Sequence, residues 1–424
     1  MKITVIGGGL AGCEASYAAA NNGAEVTLFE MKPKKYSPAH SYNGLCELIC
    51  SNSLKAMRIE SAGGLLKKEM EHFGSVVLAA AYETNVPAGG ALAVDRTLFS
   101  DAVTKRIINH SNIKVINEEI KKIPRDEIVI VAPGPLVEGE LARDIAELTG
   151  GYLSFYDAAA PIVLKDSLDF SRCFFGARYQ RGGDDYINCP MTEDEYNAFY
   201  DALITAERAP LHESIDKPNV FEGCMPIEIM AMRGRDTLKF GPLKPVGLID
   251  PKTGKRPYVN IQLRQDNKEG TLYNMVGFQT NLKFGEQKKV FSMIPALHNA
   301  EFVRYGVMHR NLFLDAPKLL NEDFSMKAYP NIYFAGQITG VEGYVESAMS
   351  GIVAGNSASG KKPSLPKETI MGAITSYLAG GSVGNFQPIN ANFGILPPLN
   401  ETIKNKQERY AMLAQRSLEA LCKK

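Results

Sequence analysis

The first thirty residues constrain the fold of this chain more than any other segment does. A short β-branched apolar run is followed by glycines in the G-x-G-x-x-G spacing, by an Ala-rich helix-prone stretch and by a second apolar run. These parts are Lys2–Ile6, Gly7, Gly9, Gly12 and Glu25–Glu30. The order strand, glycine loop, helix and strand predicts a βαβ unit that binds a dinucleotide, and therefore a parallel α/β sheet.

The glycines of this loop have different steric roles. Gly7 allows a tight turn, Gly9 lets a pyrophosphate approach the backbone, and Gly12 lets the helix pack on the strand. The free amides at the helix start favour phosphates, and Glu30 ends the second strand, where a carboxylate can bind ribose hydroxyls. The candidate cofactor-binding residues of this unit are Gly7, Gly8, Gly9, Leu10, Ala11, Gly12 and Glu30.

Length and composition predict a large cytoplasmic protein. A chain of 424 residues is too long for one ordinary core, so we expect two domains. It has no apolar run long enough for a bilayer and no secretory leader pattern, so we expect no membrane association. The seven scattered cysteines are typical of reduced thiols. Because the net charge is zero, a polyanionic partner must bind a local basic patch.

The pattern of predicted secondary structure changes twice along the sequence. From about Phe155 the chain alternates short strands with Pro-, Gly- and Asp-rich turns, broken by one predicted helix near residues 193–206. Near Pro330 a strand enters a glycine turn again, and a small-residue helix follows at 343–358. We therefore predict a dinucleotide-binding domain made of 1–154 and 325–424, split by an inserted mixed α+β domain at 155–324.

Two cysteines are candidates for nucleophilic chemistry. Cys50 precedes a Ser-Asn-Ser run that predicts a helix beginning near Leu54, and Cys224 precedes Pro226 and Glu228, which suit a first helical turn. A helix N-terminus stabilises a nearby thiolate, which is the reactive form of the side chain. The alternative is that both cysteines are small buried apolar residues.

Other ligand patterns are weaker. Cys46, Cys50 and His40 lie near one another, but no second pair of ligands has zinc spacing, so we predict no metal site. Residues 227–264 carry eight basic side chains against three acidic ones, with Phe240 and Tyr258 interleaved. This pattern favours phosphate contacts and base stacking, although a solvated turn region would look the same. A second basic group consists of Lys283, Lys288, Lys289, Arg304, His309 and Arg310.

Several long motifs resemble one family. They are the glycine loop, Glu-Leu-Ile-Cys-Ser-Asn-Ser at 47–53, Val-Pro-Ala-Gly-Gly-Ala-Leu-Ala-Val-Asp-Arg at 86–96, Tyr-Asp-Ala-Ala-Ala-Pro-Ile-Val at 156–163, Phe-Glu-Gly-Cys-Met-Pro-Ile-Glu at 221–228, Tyr-Gly-Val-Met-His-Arg-Asn at 305–311 and Phe-Ala-Gly-Gln-Ile-Thr-Gly-Val-Glu-Gly-Tyr-Val-Glu-Ser-Ala at 334–348. Together they resemble the folate- and FAD-dependent tRNA (uracil-5-)-methyltransferases.

The resemblance implies a glutathione-reductase-like FAD-binding fold and methylation of uracil C5 in the tRNA T-loop, uridine 54. It implies 5,10-methylenetetrahydrofolate as the carbon donor, reduced FAD as methylene carrier and hydride source, and NADH or NADPH as reductant. By the same resemblance Cys224 adds to the uracil, Cys50 is a second functional thiol, and Tyr344 lies near the flavin with Gly336 and Gln337.

Three alternatives stay open at this stage. The same chemistry could act on a ribosomal RNA uridine. A related FAD-dependent family modifies wobble uridines, but its chains are longer and carry a helical C-terminal domain. A flavin-bound RNA-binding protein without catalysis is the third. The sequence leaves oligomeric state, nicotinamide preference, folate contacts, the C5 base and any role of Cys46 undetermined.

Overall fold

The structure is a computed structural model that describes residues 1–180, 183–210, 225–381 and 386–422. Its strands are β1 Lys2–Ile6, β2 Glu25–Phe29, β3 Ser53–Ala56, β4 Asn85–Val86, β5 Ala91–Val94, β6 Ile113–Ile116, β7 Val129–Val131, β8 Leu153–Ala158, β9 Ile162–Leu164, β10 Phe174–Phe175, β11 Tyr186–Met191, β12 Val259–Gln265, β13 Leu272–Met275, β14 Phe302–Arg304, β15 Met308–Phe313 and β16 Ile332–Phe334. Its α-helices are α1 Leu10–Asn21, α2 Ala62–Glu71, α3 Val76–Glu83, α4 Arg96–Ile108, α5 Gly139–Thr149, α6 Glu193–Thr205, α7 Ile227–Ala231, α8 Thr237–Phe240, α9 Phe284–Phe291, α10 Ala316–Leu319, α11 Tyr344–Ala358, α12 Ile370–Ser376 and α13 Lys406–Cys422.

The N-terminal βαβ unit is part of a five-stranded parallel sheet. Its strand order is β16-β7-β1-β2-β6, so the last strand in sequence lies beside strands from the first third of the chain. β7 is buried throughout and β1 nearly so, as expected for parallel strands covered on both faces. The predicted βαβ start and the α/β fold class are confirmed.

Helices α1 and α11 cross at very short range on this sheet. A Cβ on Gly351 would lie 2.1 Å from the carbonyl oxygen of Ala11, and one on Gly355 would lie 2.3 Å from that of Ala15. The small residues of α11 are therefore required by backbone-to-backbone packing. This packing fixes the first helix of the chain against a helix more than three hundred residues later.

A second sheet is antiparallel and has the order β10-β11-β12-β13-β9-β14. One hydrophobic core gathers buried residues from 3–145 and 313–414, and another gathers them from 160–300. The antiparallel ribbon β8–β15 lies where the chain passes between the two cores. Two separate cores agree with an insertion, whereas the boundaries 155 and 324 stay a prediction.

Several local predictions are wrong. The segment after Cys50 forms strand β3 instead of a helix, because β3 pairs with β5 and the side chain of Asn52 donates to the Val94 carbonyl. The next helix begins at Ala62, where Ser61 caps it. The inserted region also contains the helix α9, Phe284–Phe291, besides the predicted α6, because Val290 and Phe291 are buried in the second core. No helix in the described part of the chain is long and apolar enough to cross a bilayer.

Candidate active site

One elongated cavity lies at the carboxyl ends of the parallel strands, which is where open α/β sheets bind ligands. Its first end is the glycine loop, and its middle is the turn Ala132–Val137 after β7. Its second end is lined by Cys50, Tyr344 and the ribbon β8–β15. We call these the phosphate-loop end and the thiol end of the main cavity.

The shape of the phosphate-loop end depends on glycines, which have no Cβ atom. Gly7 has φ +103°, and a Cβ there would lie 2.2 Å from the Ala132 carbonyl oxygen. A Cβ on Gly12 would lie 1.8 Å from the Gly7 carbonyl oxygen, whereas one on Gly9 would meet nothing within 4 Å. Gly7 and Gly12 are thus required by the protein itself, and Gly9 leaves space in front of the N-terminus of α1.

Glu30 lies beside this loop and is buried. Its carboxylate accepts hydrogen bonds from the backbone N–H of Gly8 at 2.7 Å and of Lys32 at 3.0 Å. Leu10 and Ala11 begin α1 and also line the cavity. An open glycine cradle, a helix N-terminus and a carboxylate at the end of β2 are the groups that a dinucleotide such as FAD needs, so the residues present fit that cofactor.

At the thiol end, the phenol oxygen of Tyr344 is surrounded by donors. It accepts the backbone N–H of Ile49 and of Cys50, each at 2.9 Å, and that of Ser51 at 3.3 Å. The sulfur of Cys50 lies 3.1 Å from the same oxygen. Because the N–H groups occupy the acceptor directions of the phenol, we assign the hydrogen in this contact to Tyr344, which donates it to sulfur.

Both side chains hold their protons tightly. Burial and the charge of Asp157 raise the pKa of the half-buried Cys50 to about 12, although the hydrogen bond from Tyr344 opposes the increase. Burial also raises the pKa of Tyr344 well above its usual value, and the neighbouring Cys50 adds to this shift. Cys50 is therefore a neutral thiol at physiological pH. The expectation that a helix N-terminus activates it is wrong, because a strand follows it.

The half-buried Arg96 and the buried Arg264 hold the segment 48–52 around Cys50, which we call the cysteine loop. Arg96 donates from Nη1 to the carbonyls of Leu48 and Ile49 at 2.6 and 3.0 Å, and from Nε to Asp266 at 3.0 Å. Arg264 donates to the side chain of Asn52 at 3.0 Å.

Arg264 also donates to the Ser51 hydroxyl at 2.8 Å. Since Arg264 and Asp266 belong to the end of β12 and the residue after it, the second sheet helps to set the position of the thiol. No pattern in the sequence predicts this contact.

Further polar groups at the thiol end were missed by the sequence reasoning. His309 lines the cavity with a buried Nε2 that has no hydrogen-bond partner among the described residues, and burial lowers its pKa, with Arg304 and His40 adding to the shift. Burial raises the pKa of Glu342 to about 8, and the charge of Asp157 contributes. A carboxyl group that carries a proton at neutral pH therefore lies near the thiol. His309 had been counted only as a member of a basic group.

The other predicted site residues are placed as follows. Gly336 has φ +87° and follows β16, and both it and Gln337 line the cavity. The amide of Gln337 donates to Glu342 at 2.6 Å. Cys224 lies outside the described residues. The helix α7 begins at Ile227, so Pro226 is its N-cap and not, as predicted, its first helical residue. Glu228 lies in the first turn, as predicted.

Part of the basic segment 227–264 contacts the rest of the protein. Arg264 is buried in its contacts with Ser51 and Asn52, and Lys252 donates to the carbonyls of Phe170, Ser171 and Cys173. Arg235 lies 4.4 Å over the ring of Tyr200. Arg264 is therefore not available to a polyanion, whereas most of the other basic side chains of the segment are exposed.

No three His, Cys, Asp or Glu side chains within the described ranges gather closely enough to hold a metal ion.

Comparison with known proteins identifies the class of the protein first. Residues 2–365 match the family described as Glucose inhibited division protein A. The fold is similar to two structures of Aquifex aeolicus GidA, with TM-scores of 0.69 and 0.70, at 18% and 17% identity. The similarity covers 98% and 99% of this chain and 73% and 75% of those chains. The chain belongs to this family and has its Rossmann-like FAD-binding fold.

Closer relatives define a narrower family. The chain is 56% identical over 99% of its length to methylenetetrahydrofolate--tRNA-(uracil-5-)-methyltransferase TrmFO of Acetivibrio thermocellus, covering 97% of that protein. It is 55% identical to the TrmFO of Bacillus cytotoxicus, covering 99% of this chain and 98% of that one. The chain therefore belongs to the TrmFO family.

Proposed function

We propose that this protein is a methylenetetrahydrofolate-dependent tRNA (uracil-5-)-methyltransferase that acts in the cytoplasm on uridine 54 of the T-loop. The observation that carries the proposal is the single cavity that joins a dinucleotide loop to Cys50 and Tyr344. The near full-length similarity to TrmFO proteins supports the same reaction. FAD, methylenetetrahydrofolate, tRNA and NADH or NADPH are the proposed ligands.

FAD would be held by the amides at the start of α1, by the space in front of Gly9 and by Glu30. Gly336 and Gln337 line the same cavity after β16 and would lie along the cofactor. When bound, FAD supplies the carrier of the one-carbon unit and the hydride that completes the methyl group. The protein contributes binding, orientation and proton transfer.

Uracil C5 is a poor nucleophile until a group adds at C6. We propose that the Cys224 thiolate forms the S–C6 bond, which moves the ring π electrons onto the O4 enolate and makes C5 nucleophilic. C5 then forms the new C–C bond to the one-carbon unit. Loss of the C5 proton to a base breaks the bond between that carbon and its carrier and leaves an exocyclic methylene at C5. Addition of a hydride to this methylene completes the methyl group, expels the Cys224 thiolate and restores the C5–C6 double bond.

Cys50 has a different role in this proposal. Because burial keeps its sulfur protonated, it is suited to hold or transfer a proton beside the pyrimidine, with the Tyr344 hydroxyl as its partner. Three backbone N–H groups around the phenol oxygen stabilise negative charge there when the proton is away.

The direct test supplies purified protein with FAD, labelled methylenetetrahydrofolate, NADH and a tRNA transcript. We expect label in ribothymidine at position 54, and none in a transcript with cytidine at that position. Label in the wobble uridine or in ribosomal RNA instead would replace the proposed target. Labelled carbon that never reaches RNA, with RNA binding intact, would favour the non-catalytic alternative.

The roles of the thiols are tested by covalent capture of T-loop RNA that contains 5-fluorouracil. Cys224→Ala should abolish capture if Cys224 adds to C6. Cys422→Ala is the matched control, because Cys422 is an exposed thiol at the end of α13. Undiminished capture by Cys224→Ala would remove that residue from the role of nucleophile.

A further inference from the structure

The ribbon β8–β15 presents different polar side chains to two cavities. Asp157 and His309 are paired across the ribbon and both line that cavity. The next pair, Tyr156 and Arg310, points to the opposite face, because successive residues of a strand alternate. That face lines a second cavity, to which Met308 also contributes. The two cavities therefore lie back to back on one two-stranded element.

An aromatic stack ends at the second cavity. Phe284 lines this cavity and is 55% exposed. Its ring stacks on Tyr305 with centroids 5.0 Å apart and planes 16° apart, and Tyr305 stacks on Phe302 at 5.6 Å and 11°. Phe302 packs against the core of the inserted region. An anchored stack that ends in an accessible ring is the arrangement that receives one more flat aromatic group.

The charges around this cavity are predominantly basic. Lys283 and Arg310 line it, and Lys288 and Lys289 lie in the last turn of the adjoining helix α9. Two ion pairs offset part of this charge among the described residues, since Glu207 pairs with Lys283 and Glu286 pairs with Lys289. Stacking rings bordered by cations are the chemistry that binds an unpaired nucleotide, in which the base stacks and the phosphate meets a positive charge.

We propose that the second cavity binds a tRNA nucleotide that flanks the target uridine. Its base stacks on Phe284, and its phosphate lies near Lys283 and Arg310. This inference rests on tRNA being the substrate. A nucleotide held on one face of the ribbon keeps the RNA strand beside the element whose other face lines the main cavity, where the target base enters. The basic group at 283–310 is thereby divided, since His309 serves the main cavity and Arg310 serves the second one.

The test compares Phe284→Ala and Phe284→Tyr in the FAD-loaded enzyme. Loss of one base stack corresponds to about a 5- to 100-fold weaker interaction, so Phe284→Ala should raise the KM and Kd for tRNA by that range. The change should fall on KM more than on kcat, because the ring is outside the main cavity. Phe284→Tyr retains a stacking ring and should stay within about threefold of wild type.

Matched controls exist elsewhere on the surface. Phe170 and Phe175 form another exposed stack, with centroids 6.0 Å apart, outside both cavities, so Phe175→Ala should leave tRNA binding unchanged. Arg310→Gln and Lys283→Gln should each reduce the salt dependence of tRNA binding. Lys318→Gln removes a lysine from another surface ion pair and should not do so.

An unchanged KM and Kd for tRNA in both Phe284→Ala and Arg310→Gln would overturn the proposal. A rise in KM confined to NADH or to methylenetetrahydrofolate would overturn it too, because the cavity would then serve a different ligand. Direct tRNA binding separates this inference from the proposed reaction. If wild type binds tRNA through Phe284 but does not methylate it, the reaction fails and the nucleotide site stands.

Discussion

The two ends of the main cavity are built in different ways. The phosphate-loop end is made of backbone from one short segment, and its essential feature is the absence of Cβ atoms at Gly7 and Gly12. The thiol end is made of side chains that converge from distant segments: Cys50, Arg96, Arg264 and Tyr344. At the phosphate-loop end, a side chain at Gly7 or Gly12 would clash with the backbone. The second end is a network whose members can be removed singly with graded effects.

The largest effect on folding and on FAD content is expected for Gly12→Ala, at the phosphate-loop end. The new Cβ would lie 1.8 Å from the backbone oxygen of Gly7, which cannot yield without moving the first strand or helix. We expect loss of soluble, FAD-containing protein, measured by yield, flavin absorbance and denaturant unfolding.

Gly285→Ala is its control, because a Cβ there meets nothing within 4 Å. Gly9→Ala should fold like wild type yet bind FAD about tenfold more weakly or worse, since it fills only the ligand's space. A stable, flavin-loaded Gly12→Ala protein would contradict the contrast between the two ends.

An intermediate effect on stability and on methyl transfer is expected for Arg96→Gln, at the thiol end. This change leaves Asp266 buried without its cation and removes a charged donor from the Leu48 and Ile49 carbonyls. We expect the free energy of unfolding to fall by about 3 kcal/mol, with a loss of methyl transfer.

Arg106→Gln on the same helix breaks a more exposed pair with Glu83 and should cost under about 1 kcal/mol. Urea unfolding of both variants provides the measurement. Equal losses of unfolding free energy in the two variants would show that the contacts of Arg96 with Asp266 and the cysteine loop contribute no more than a surface ion pair.

The smallest and most specific of the expected effects is a change in the ionisation of Cys50 in Tyr344→Phe. The phenol hydrogen bond lowers the pKa of Cys50 against the effect of burial, so its removal should raise that pKa above the value of about 12. Alkylation requires the thiolate, whose fraction rises tenfold per pH unit below the pKa. Alkylation of Cys50 at pH 9 to 10 should therefore be slower in the variant.

Mass spectrometry after iodoacetamide treatment measures this rate, and the exposed Cys422 serves as an internal control in the same sample. Faster alkylation of Cys50 in Tyr344→Phe would show that the phenol shields the sulfur instead of stabilising its thiolate. A wild-type Cys50 that titrates near its ordinary pKa would contradict the assignment of a neutral thiol.

Sequence reasoning was accurate where the structure depends on neighbouring residues. The strand–glycine–helix–strand order at the N-terminus, the helix α6 and the small-residue helix α11 could be predicted, because their patterns are local. It was wrong at Ser53–Ala56, where cap-forming residues suggested a helix. Pairing with β5, a segment almost forty residues later, decides that this stretch is a strand.

The protonation of Cys50 shows the same limit. A helix N-terminus would have lowered its pKa, whereas burial and the charge of Asp157 on the ribbon raise it. Likewise, the charge count of residues 227–264 did not reveal that Arg264 turns inward to Ser51 and Asn52.

The sequence by itself determined the dinucleotide loop, because the strand, glycine, helix and strand pattern is contained in the first thirty residues. It also determined the family, through long motifs that cover most of the chain. Only the tertiary structure decided which groups surround the thiol and which basic side chains remain at a surface. Those properties depend on burial and on contacts between segments far apart in sequence, and burial sets both the pKa of a buried group and its access to a ligand.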